Sequence, residues 1–326
     1  MSGLAVLCPG QGGQHPAMLD LAAATPAGAE VLRRCAAVLG WDPVARAPAG
    51  APEAAGIPEP GSAAAGTGDA SLFTNAVAQP LVCAAEVATW AALRVALPAP
   101  TLVLGYSLGE LAAYACAGAL APEEAVRLAV ERAAAMDAVA PAGAGLLALR
   151  GLSLPRAEAL AAEAGAELAI VNGPDHVVAG GTAAALAALE ARAPAAGATA
   201  VRIPVPVPAH TSLLRAAAPP FAAALGRSPL RAPAVPVLAG TTALPVTTRD
   251  GAIAALSAAV ADRIEWARCV AAAAEHGCTV FLELGPGAAL AKMAGELLPH
   301  AAVRSVADFR SVAGVARWVE REITRR

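Results

Sequence analysis

Short apolar runs alternate with helical stretches along most of this chain, and many of the runs end in a turn rich in glycine or proline. The runs at 4–8, 101–104, 235–239, 279–284 and 303–306 have the length of buried strands. Parallel strands need helical connections and are covered on both faces, so they appear in a sequence as continuous apolar runs. The pattern therefore predicts an α/β fold with a mostly parallel sheet flanked by helices.

Between residues 143 and 203 the order of elements changes to βαββαβ. This is the split-βαβ or ferredoxin-like arrangement, and residues 172–175 have the composition of a turn between its two central strands. We therefore expect a small subdomain over 141–206, inserted into a large domain made of 1–140 and 207–326. Residues 47–69 are dense in proline, glycine and alanine without a period, which predicts a surface connection.

Composition argues against several classes of protein. Of the 326 residues, 57% are hydrophobic, 3% are aromatic and 15% are charged, and the net charge is −3. A disordered chain would be less hydrophobic, and a nucleic-acid partner would call for a basic surface. The apolar stretch 95–122 is interrupted by Pro98, Pro100, Gly105 and Gly109, so it predicts a buried strand and a buried helix rather than a membrane span.

No basic segment precedes the first apolar run, so we expect no signal peptide. The six cysteines have neither metal-binding nor redox spacing. We therefore expect a cytoplasmic protein with reduced cysteines, no metal site and no membrane association.

The strongest local signal for chemistry is Gly105-Tyr106-Ser107-Leu108-Gly109, a GxSxG pattern between an apolar run and a helical stretch. A serine at such a strand-to-helix turn is an exposed nucleophile, and the glycines let strand and helix approach closely. The Leu108 amide would then lie at a helix N-terminus, where it can stabilise an oxyanion. The same pattern also arises by chance in a chain rich in glycine and alanine.

A serine nucleophile needs a base, and a histidine in a stiff loop is suited to that role. His210 follows the proline-rich segment 203–209, although a histidine at a helix start without chemistry fits the position equally well. Arg132 could bind a substrate carboxylate through two parallel hydrogen bonds, or be solvated on an exposed helix face. The loop 10–14 lacks the spacing of a dinucleotide or phosphate loop, and is either an oxyanion donor or a plain turn.

In their order and spacing, these motifs resemble the malonyl-CoA:acyl carrier protein transacylases, which share the acyltransferase fold. The matching segments are Pro9-Gly10-Gln11-Gly12-Gly13-Gln14 for a PGQGxQ loop, Gln79-Pro80, residues 105–110 for a GHSxGE elbow, Arg132 with Met136, Val171-Asn172-Gly173-Pro174 with Ala179-Gly180-Gly181, Val205-Pro206-Val207-Pro208-Ala209-His210, and Glu283-Leu284-Gly285-Pro286-Gly287.

The resemblance implies malonyl-CoA as substrate, a phosphopantetheine-type thiol on an acyl carrier protein as acceptor, and no bound cofactor. It also implies a role for each matching residue. These roles are Ser107 as nucleophile, His210 as base, the backbone amides of Gln11 and Leu108 as oxyanion hole, Arg132 as partner of the malonyl carboxylate, and Gln79, Tyr106 and Asn172 as substrate-binding residues. A backbone carbonyl near residue 259 would orient His210 in place of a third triad member.

One departure from the family pattern narrows the resemblance. Tyr106 stands where the family has histidine, and a GYSxGE elbow is similar to that of the epsilon subunit of malonate decarboxylase. The segments 305–311 and 314–318 are also similar to that subunit. The acceptor would then be the decarboxylase's own carrier subunit, with a phosphoribosyl-dephospho-CoA arm.

Three alternatives remain at this stage. The first is a malonyl-CoA:acyl carrier protein transacylase of fatty acid or polyketide synthesis, which a transfer assay with each carrier distinguishes. The second is an α/β-hydrolase-type thioesterase, although its histidine would follow an acid and lie near the C-terminus, unlike His210. The third is a scaffolding subunit with a decayed site, which the intact Ser107, His210 and Arg132 argue against.

Overall fold

The computed structural model describes residues 2–47 and 70–325. The predicted surface connection over 47–69 lies, apart from its first residue, outside the described residues.

The described residues form ten strands in two sheets, and thirteen α-helices. The strands are β1 Gly3–Cys8, β2 Leu102–Gly105, β3 Gly145–Arg150, β4 Glu167–Gly173, β5 His176–Gly181, β6 Thr199–Ile203, β7 Val237–Leu238, β8 Pro245–Val246, β9 Cys278–Glu283 and β10 Ala302–Ser305. The helices are α1 Asp20–Ala23, α2 Pro26–Leu39, α3 Pro43–Arg46, α4 Asn75–Leu93, α5 Gly109–Cys116, α6 Pro122–Asp137, α7 Leu154–Glu163, α8 Ala183–Arg192, α9 Ala218–Arg227, α10 Arg249–Ala258, α11 Trp266–Glu275, α12 Ala289–Leu297 and α13 Val312–Thr324.

The large sheet has the strand order β10-β9-β1-β2-β7-β8. The pairs β1–β2, β1–β9, β9–β10 and β2–β7 are parallel, which confirms the predicted mostly parallel sheet. The edge strand β8 pairs antiparallel with β7 and was not predicted. It has only two residues, one of them a proline that suits an edge position, so it has no measurable period.

The carboxyl ends of β1 and β2 lie side by side at the centre of this sheet. Cys8 pairs with Gly105, and the Tyr106 N–H donates to the Cys8 carbonyl at 2.9 Å. The glycine-rich loop after β1 and the GxSxG turn after β2 therefore meet at the edge of the sheet that the carboxyl ends of the strands form. Ligands of open α/β sheets bind at this edge, beyond the carboxyl ends of the strands.

The small sheet has the order β4-β5-β3-β6, with antiparallel pairs throughout, and its elements follow the predicted βαββαβ order. Leu147 and Leu149 of β3 pack in a core with α7 and α8, whereas Leu146 joins the core of the large domain. Both faces of β3 are therefore buried, which explains its unbroken apolar sequence. The domain boundaries at 141 and 206 stay a prediction.

The small sheet is also joined to the large domain by main-chain hydrogen bonds at Ile264, in the segment before α11. Its N–H donates to the Ala169 carbonyl at 2.9 Å, and its carbonyl accepts from the Val171 N–H at 2.8 Å. This short parallel bridge holds the edge strand β4 of the small sheet against the large domain.

Two helices differ from their predicted form. The apolar stretch 71–97 contains almost no charge and so predicts one long, largely buried helix, but the helix begins only at Asn75, after a 3-10 turn at Ala70–Phe73. The sequence also predicts a single helix over 211–225, but this stretch divides into a 3-10 turn at Ser212–Ala217 and the helix α9, because two prolines follow Ala218. Proline fits the first turn of a helix and not its interior, so a new helix starts there.

Helix α4 is long and apolar enough to cross a membrane by length and composition alone, but 78% of its most apolar window is buried inside the protein. It is a central helix of the fold. The stretch 95–122 forms β2 and α5, both buried as predicted. All six cysteines are buried and unpaired.

Candidate active site

Ser107 lies in the sharp turn between β2 and α5, with a left-handed backbone φ of 57°. The turn requires both of its glycines. A Cβ on Gly105 would lie 2.1 Å from the Glu110 Cα, and one on Gly109 would lie 2.0 Å from the Cys8 carbonyl oxygen. A serine held in this strained conformation, partly exposed between buried neighbours, points to a functional hydroxyl.

His210 faces this hydroxyl. Its Nε2 lies 2.7 Å from the Ser107 Oγ, and the His210 side chain is only 1% exposed. The ring's Nδ1 bonds the carbonyl of Ala259, just past the end of α10, where helix carbonyls lack intrahelical partners. Since a carbonyl only accepts, Nδ1 carries the proton and Nε2 is free to accept one from Ser107.

Burial lowers the pKa of His210 to about 3, with a further contribution from the positive charge of Arg132, while the hydrogen bond to Ala259 opposes the change. The imidazole is therefore neutral at physiological pH. A neutral imidazole in contact with a hydroxyl has the protonation state that a general base needs.

Arg132 projects from α6 into the same site and is only 3% exposed. Its Nη1 donates to the Gln79 Oε1 at 2.8 Å, and its Nη2 lies 3.4 Å from the Ser107 Oγ. Within residues 2–47 and 70–325, no carboxylate forms an ion pair with it. The reading as a solvated surface arginine is therefore excluded, and the side chain is a buried cation facing the serine.

Glu110 is the buried carboxyl group whose charge affects the pKa of Arg132. Its Oε2 accepts from the Gly240 N–H at 3.1 Å. Burial raises the pKa of Glu110 to about 7, opposed by that hydrogen bond and by the charge of Arg132. Burial in turn lowers the pKa of Arg132 to about 10, opposed by Glu110. Glu110 thus compensates the arginine only partly and from a distance.

Gln79 is fixed by neighbours on both sides. Its Nε2 donates to the Asn75 Oδ1 at 2.7 Å and lies 3.3 Å from the Met136 Sδ. Asn75 was not among the residues predicted for the site, although it lies one helical turn before Gln79 on a mostly apolar helix. That spacing was the available signal, because residues four apart share one helix face.

Tyr106 and Asn172 meet beside the serine. Burial raises the pKa of the Tyr106 phenol, and a hydrogen bond from the Asn172 side chain opposes that change. The Tyr106 ring packs edge-on against Trp266 at 5.4 Å between centroids. Asn172 comes from β4, and its Nδ2 lies 3.4 Å from the His176 Nε2. Residues of both sheets therefore border the site.

The predicted oxyanion donors lie on the two loops that meet at the sheet edge. Leu108 is the residue before the first turn of α5, so its N–H is at a helix N-terminus. Gln11 follows β1, whose end is bonded to the Ser107 turn. Their role in binding an oxyanion stays a prediction. No group of three His, Cys, Asp or Glu side chains that could hold a metal occurs within the described parts of the chain.

A family model described as "Acyl transferase domain" matches residues 6–320. The chain belongs to this family. It is 32% identical over 299 residues to a malonyl CoA-acyl carrier protein transacylase of Escherichia coli K12, an alignment that covers 89% of this chain and 91% of the relative. It is 30% identical over 327 residues to that of Haemophilus influenzae, covering 96% and 98%.

Solved structures of this acyl transferase family have the same fold. The malonyl CoA-acyl carrier protein transacylase of Coxiella burnetii superimposes with a TM-score of 0.88 at 26% identity, covering 99% of this chain and 98% of the other. A malonyl-transacylase solved in complex with a type II PKS acyl-carrier protein superimposes with a TM-score of 0.87 at 27% identity, covering 97% and 99%. The chain is therefore an acyltransferase of the malonyltransferase type, with the predicted fold.

Proposed function

We propose that this chain moves a malonyl group from malonyl-CoA to the thiol of an acyl carrier protein, through a malonyl ester on Ser107. The observation that carries the proposal is the buried guanidinium of Arg132, with its Nη2 3.4 Å from the Ser107 Oγ and no ion pair in the described residues. A buried cation without a partner favours a substrate that brings its own carboxylate. The names of the relatives support the same acyl group and acceptor.

In the first step, the Ser107 Oγ bonds to the thioester carbonyl carbon while His210 Nε2 takes the hydroxyl proton. The carbon–sulfur bond then breaks, and His210 returns the proton to the CoA sulfur. In the second step, the carrier's thiol gives its proton to His210 and attacks the ester, and Ser107 leaves with that proton. The 2.7 Å contact between the two side chains suits both transfers.

The backbone N–H groups of Leu108 and Gln11 would stabilise the oxyanion that forms on the carbonyl oxygen in each step. Arg132 would bind the distal carboxylate and so fix the acyl group against Ser107. Gln79 would hold the arginine, while Tyr106 and Asn172 would border the acyl chain or the arm that carries it. No bound cofactor takes part in this scheme.

For the acceptor, Tyr106 favours the carrier subunit of malonate decarboxylase, which would make this chain the epsilon subunit of that enzyme. The alternative is the carrier protein of fatty acid or polyketide synthesis, which the names of the relatives favour. In either case we propose a cytoplasmic enzyme whose partners are malonyl-CoA and a carrier protein, without nucleic acid or membrane.

Mass spectrometry after incubation with malonyl-CoA tests the proposal. A malonyl adduct is expected on Ser107 and none on a Ser107→Ala variant. Adding each carrier in its thiol form should then discharge the adduct, and the faster discharge identifies the acceptor. Absence of an adduct would refute the ester intermediate, and rapid loss of the adduct to water without a thiol would favour a thioesterase.

A further inference from the structure

A continuous row of hydrogen-bonded side chains leads from the site to the surface. Arg132 Nη1 donates to Gln79 Oε1 at 2.8 Å, and Gln79 Nε2 donates to Asn75 Oδ1 at 2.7 Å. Asn75 Nδ2 donates in turn to Asp137 Oδ1 at 2.9 Å and to the Ala133 carbonyl at 3.3 Å. Arg132, Gln79 and Asn75 are buried, whereas Asp137 is exposed at the C-terminal end of α6.

The two ends of this row determine its direction. A guanidinium can only donate, whereas an ionised carboxylate and a carbonyl can only accept. Because Asp137 and Ala133 both accept, Asn75 must present its NH2 group to them and its oxygen to Gln79. Gln79 must then present its NH2 group to Asn75, which leaves its oxygen for Arg132. Every hydrogen bond in the row runs the same way, so no amide is left in conflict.

We propose that Asn75 is a positioning residue for the substrate carboxylate, acting through Gln79 on Arg132, and that Asp137 and the Ala133 carbonyl set the direction in which Asn75 acts. This inference rests on the proposed binding of a malonyl carboxylate by Arg132. With the Gln79 oxygen on Nη1, the Nη2 side of the guanidinium faces Ser107. A reversed Gln79 would place NH2 hydrogens against the cation and turn the guanidinium away from the serine.

The experiment compares kcat/KM for malonyl-CoA and for acetyl-CoA, because acetyl has no carboxylate to bind. Asn75→Leu removes the strong acceptor that orients Gln79 and leaves only the weak thioether acceptor of Met136 at 3.3 Å. It should lower the malonyl value by about tenfold while the acetyl value changes by less than about twofold. Asp137→Lys puts a donor at the outer end. It should lower the malonyl value by about threefold, since the Ala133 carbonyl still holds Asn75.

Two matched variants separate hydrogen bonding from charge. Asp137→Asn removes the charge but keeps an oxygen that can accept from Asn75, so the ratio of malonyl to acetyl values should return to that of the wild type. Glu131→Lys makes the same change in charge as Asp137→Lys on the same helix, outside the row, and should also leave the ratio unchanged. If Glu131→Lys lowers the ratio as much as Asp137→Lys does, charge explains the effect and the proposal fails.

A crystal structure of Asn75→Leu gives a readout that does not require activity. The 2.8 Å contact between Arg132 Nη1 and Gln79 Oε1 should be lost, with the guanidinium displaced from Ser107. An unchanged contact, or equal losses for both acyl groups, would overturn the positioning role. If the wild type acylates Ser107 with neither substrate, the proposed function fails, and the fate of this contact still decides whether Asn75 positions Arg132.

Discussion

Helix α6 carries two arginines in opposite environments, Arg127 on its outer face and Arg132 on its inner face. Arg127 is about one-third exposed and forms ion pairs with two glutamates of its own helix, Glu124 at 2.9 Å and Glu131. Arg132 is 3% exposed and contacts only neutral groups, Gln79 and Ser107, among the hydrogen-bond partners that the described residues provide.

The difference runs against what stability alone would favour. An exposed ion pair contributes little to folding, because water already solvates both charges. A buried cation without a carboxylate loses that solvation and gains no ionic partner, so it opposes folding. Arg127 is therefore ion-paired where an ion pair adds least to stability. Arg132 is unpaired where a ligand carboxylate would be most strongly bound.

The largest expected effect comes from removing the inner arginine. Arg132→Ala should lower kcat/KM for malonyl-CoA, because the substrate carboxylate would lose its partner. The expected loss of transition-state stabilisation is about 2–5 kcal/mol. The matched variant Arg127→Ala should leave the value within about twofold. Steady-state kinetics with malonyl-CoA and acetyl-CoA measure both. A similar loss for the two acyl groups in Arg132→Ala would contradict a carboxylate-binding role.

Charge alone should not replace the inner arginine. Arg132→Lys keeps the positive charge but cannot donate to Gln79 and to a substrate carboxylate in the same planar arrangement. We expect malonyl kcat/KM to fall by about tenfold or more, with acetyl transfer less affected. The result is checked with the same assay, and Arg127→Lys serves as the exposed control. Full activity in Arg132→Lys would show that a point charge is sufficient.

The burial of the site, together with the unpaired charge, should also be visible in the pH dependence of the reaction. Because burial and Arg132 lower the pKa of His210 to about 3, the base stays neutral at pH 5.5. The rate of Ser107 acylation should be flat from about pH 5 to 8, whereas a histidine with the usual pKa of about 6.5 would lose about tenfold at pH 5.5. Quenched acylation followed by mass spectrometry measures the rate. Glu110→Gln is the control, since Glu110 titrates within this window.

A buried ionisable group outside the site should behave differently. Glu86 in α4 is fully buried, and neither of its carboxyl oxygens has a hydrogen-bond partner among residues 2–47 and 70–325. Burial raises the pKa of Glu86 well above its usual value. The protonated group therefore fits the fold best below the unfolded pKa of about 4.3, and the stability that it contributes is lost as the pH rises above that value.

Replacing Glu86 should therefore stabilise the protein. We expect Glu86→Leu to raise the free energy of unfolding by about 1–3 kcal/mol at pH 8 and by less at pH 4.5, with unchanged malonyl transfer. Urea denaturation at the two pH values measures the difference. A loss of stability at pH 8 would mean that Glu86 has a partner that offsets its burial.

The parallel sheet and the GxSxG turn could be predicted because each leaves a local trace in the sequence. Residues 4–8 and 101–104 are unbroken apolar runs, and the glycines at 105 and 109 mark the close contact of strand and helix. The break before α9 also leaves a local trace, in the two prolines after Ala218, although the helical pattern continues on both sides of them.

Other parts of the site leave no such trace. The acceptor for His210 is a main-chain carbonyl, which any residue at 259 would supply, so only the resemblance to a family pointed to it. The row from Arg132 to Asp137 depends on the packing of α4 against α6, which brings together side chains more than fifty positions apart. The hydrophobic period of each helix does not show which side chains of the other helix it will contact.

The main-chain bridge at Ile264 has a consequence for exchanging parts between relatives. Its hydrogen bonds hold β4 at Ala169 and Val171, immediately before Asn172. The position of the Asn172 amide relative to Tyr106 is therefore determined by a segment more than ninety positions away in the chain. A chimaera that transplants only 141–206 would combine the Asn172 of one protein with the residue-264 segment of another, although that segment fixes the position of Asn172. Carrying the foreign residues around 264 along with the insert should preserve the fit between the two halves.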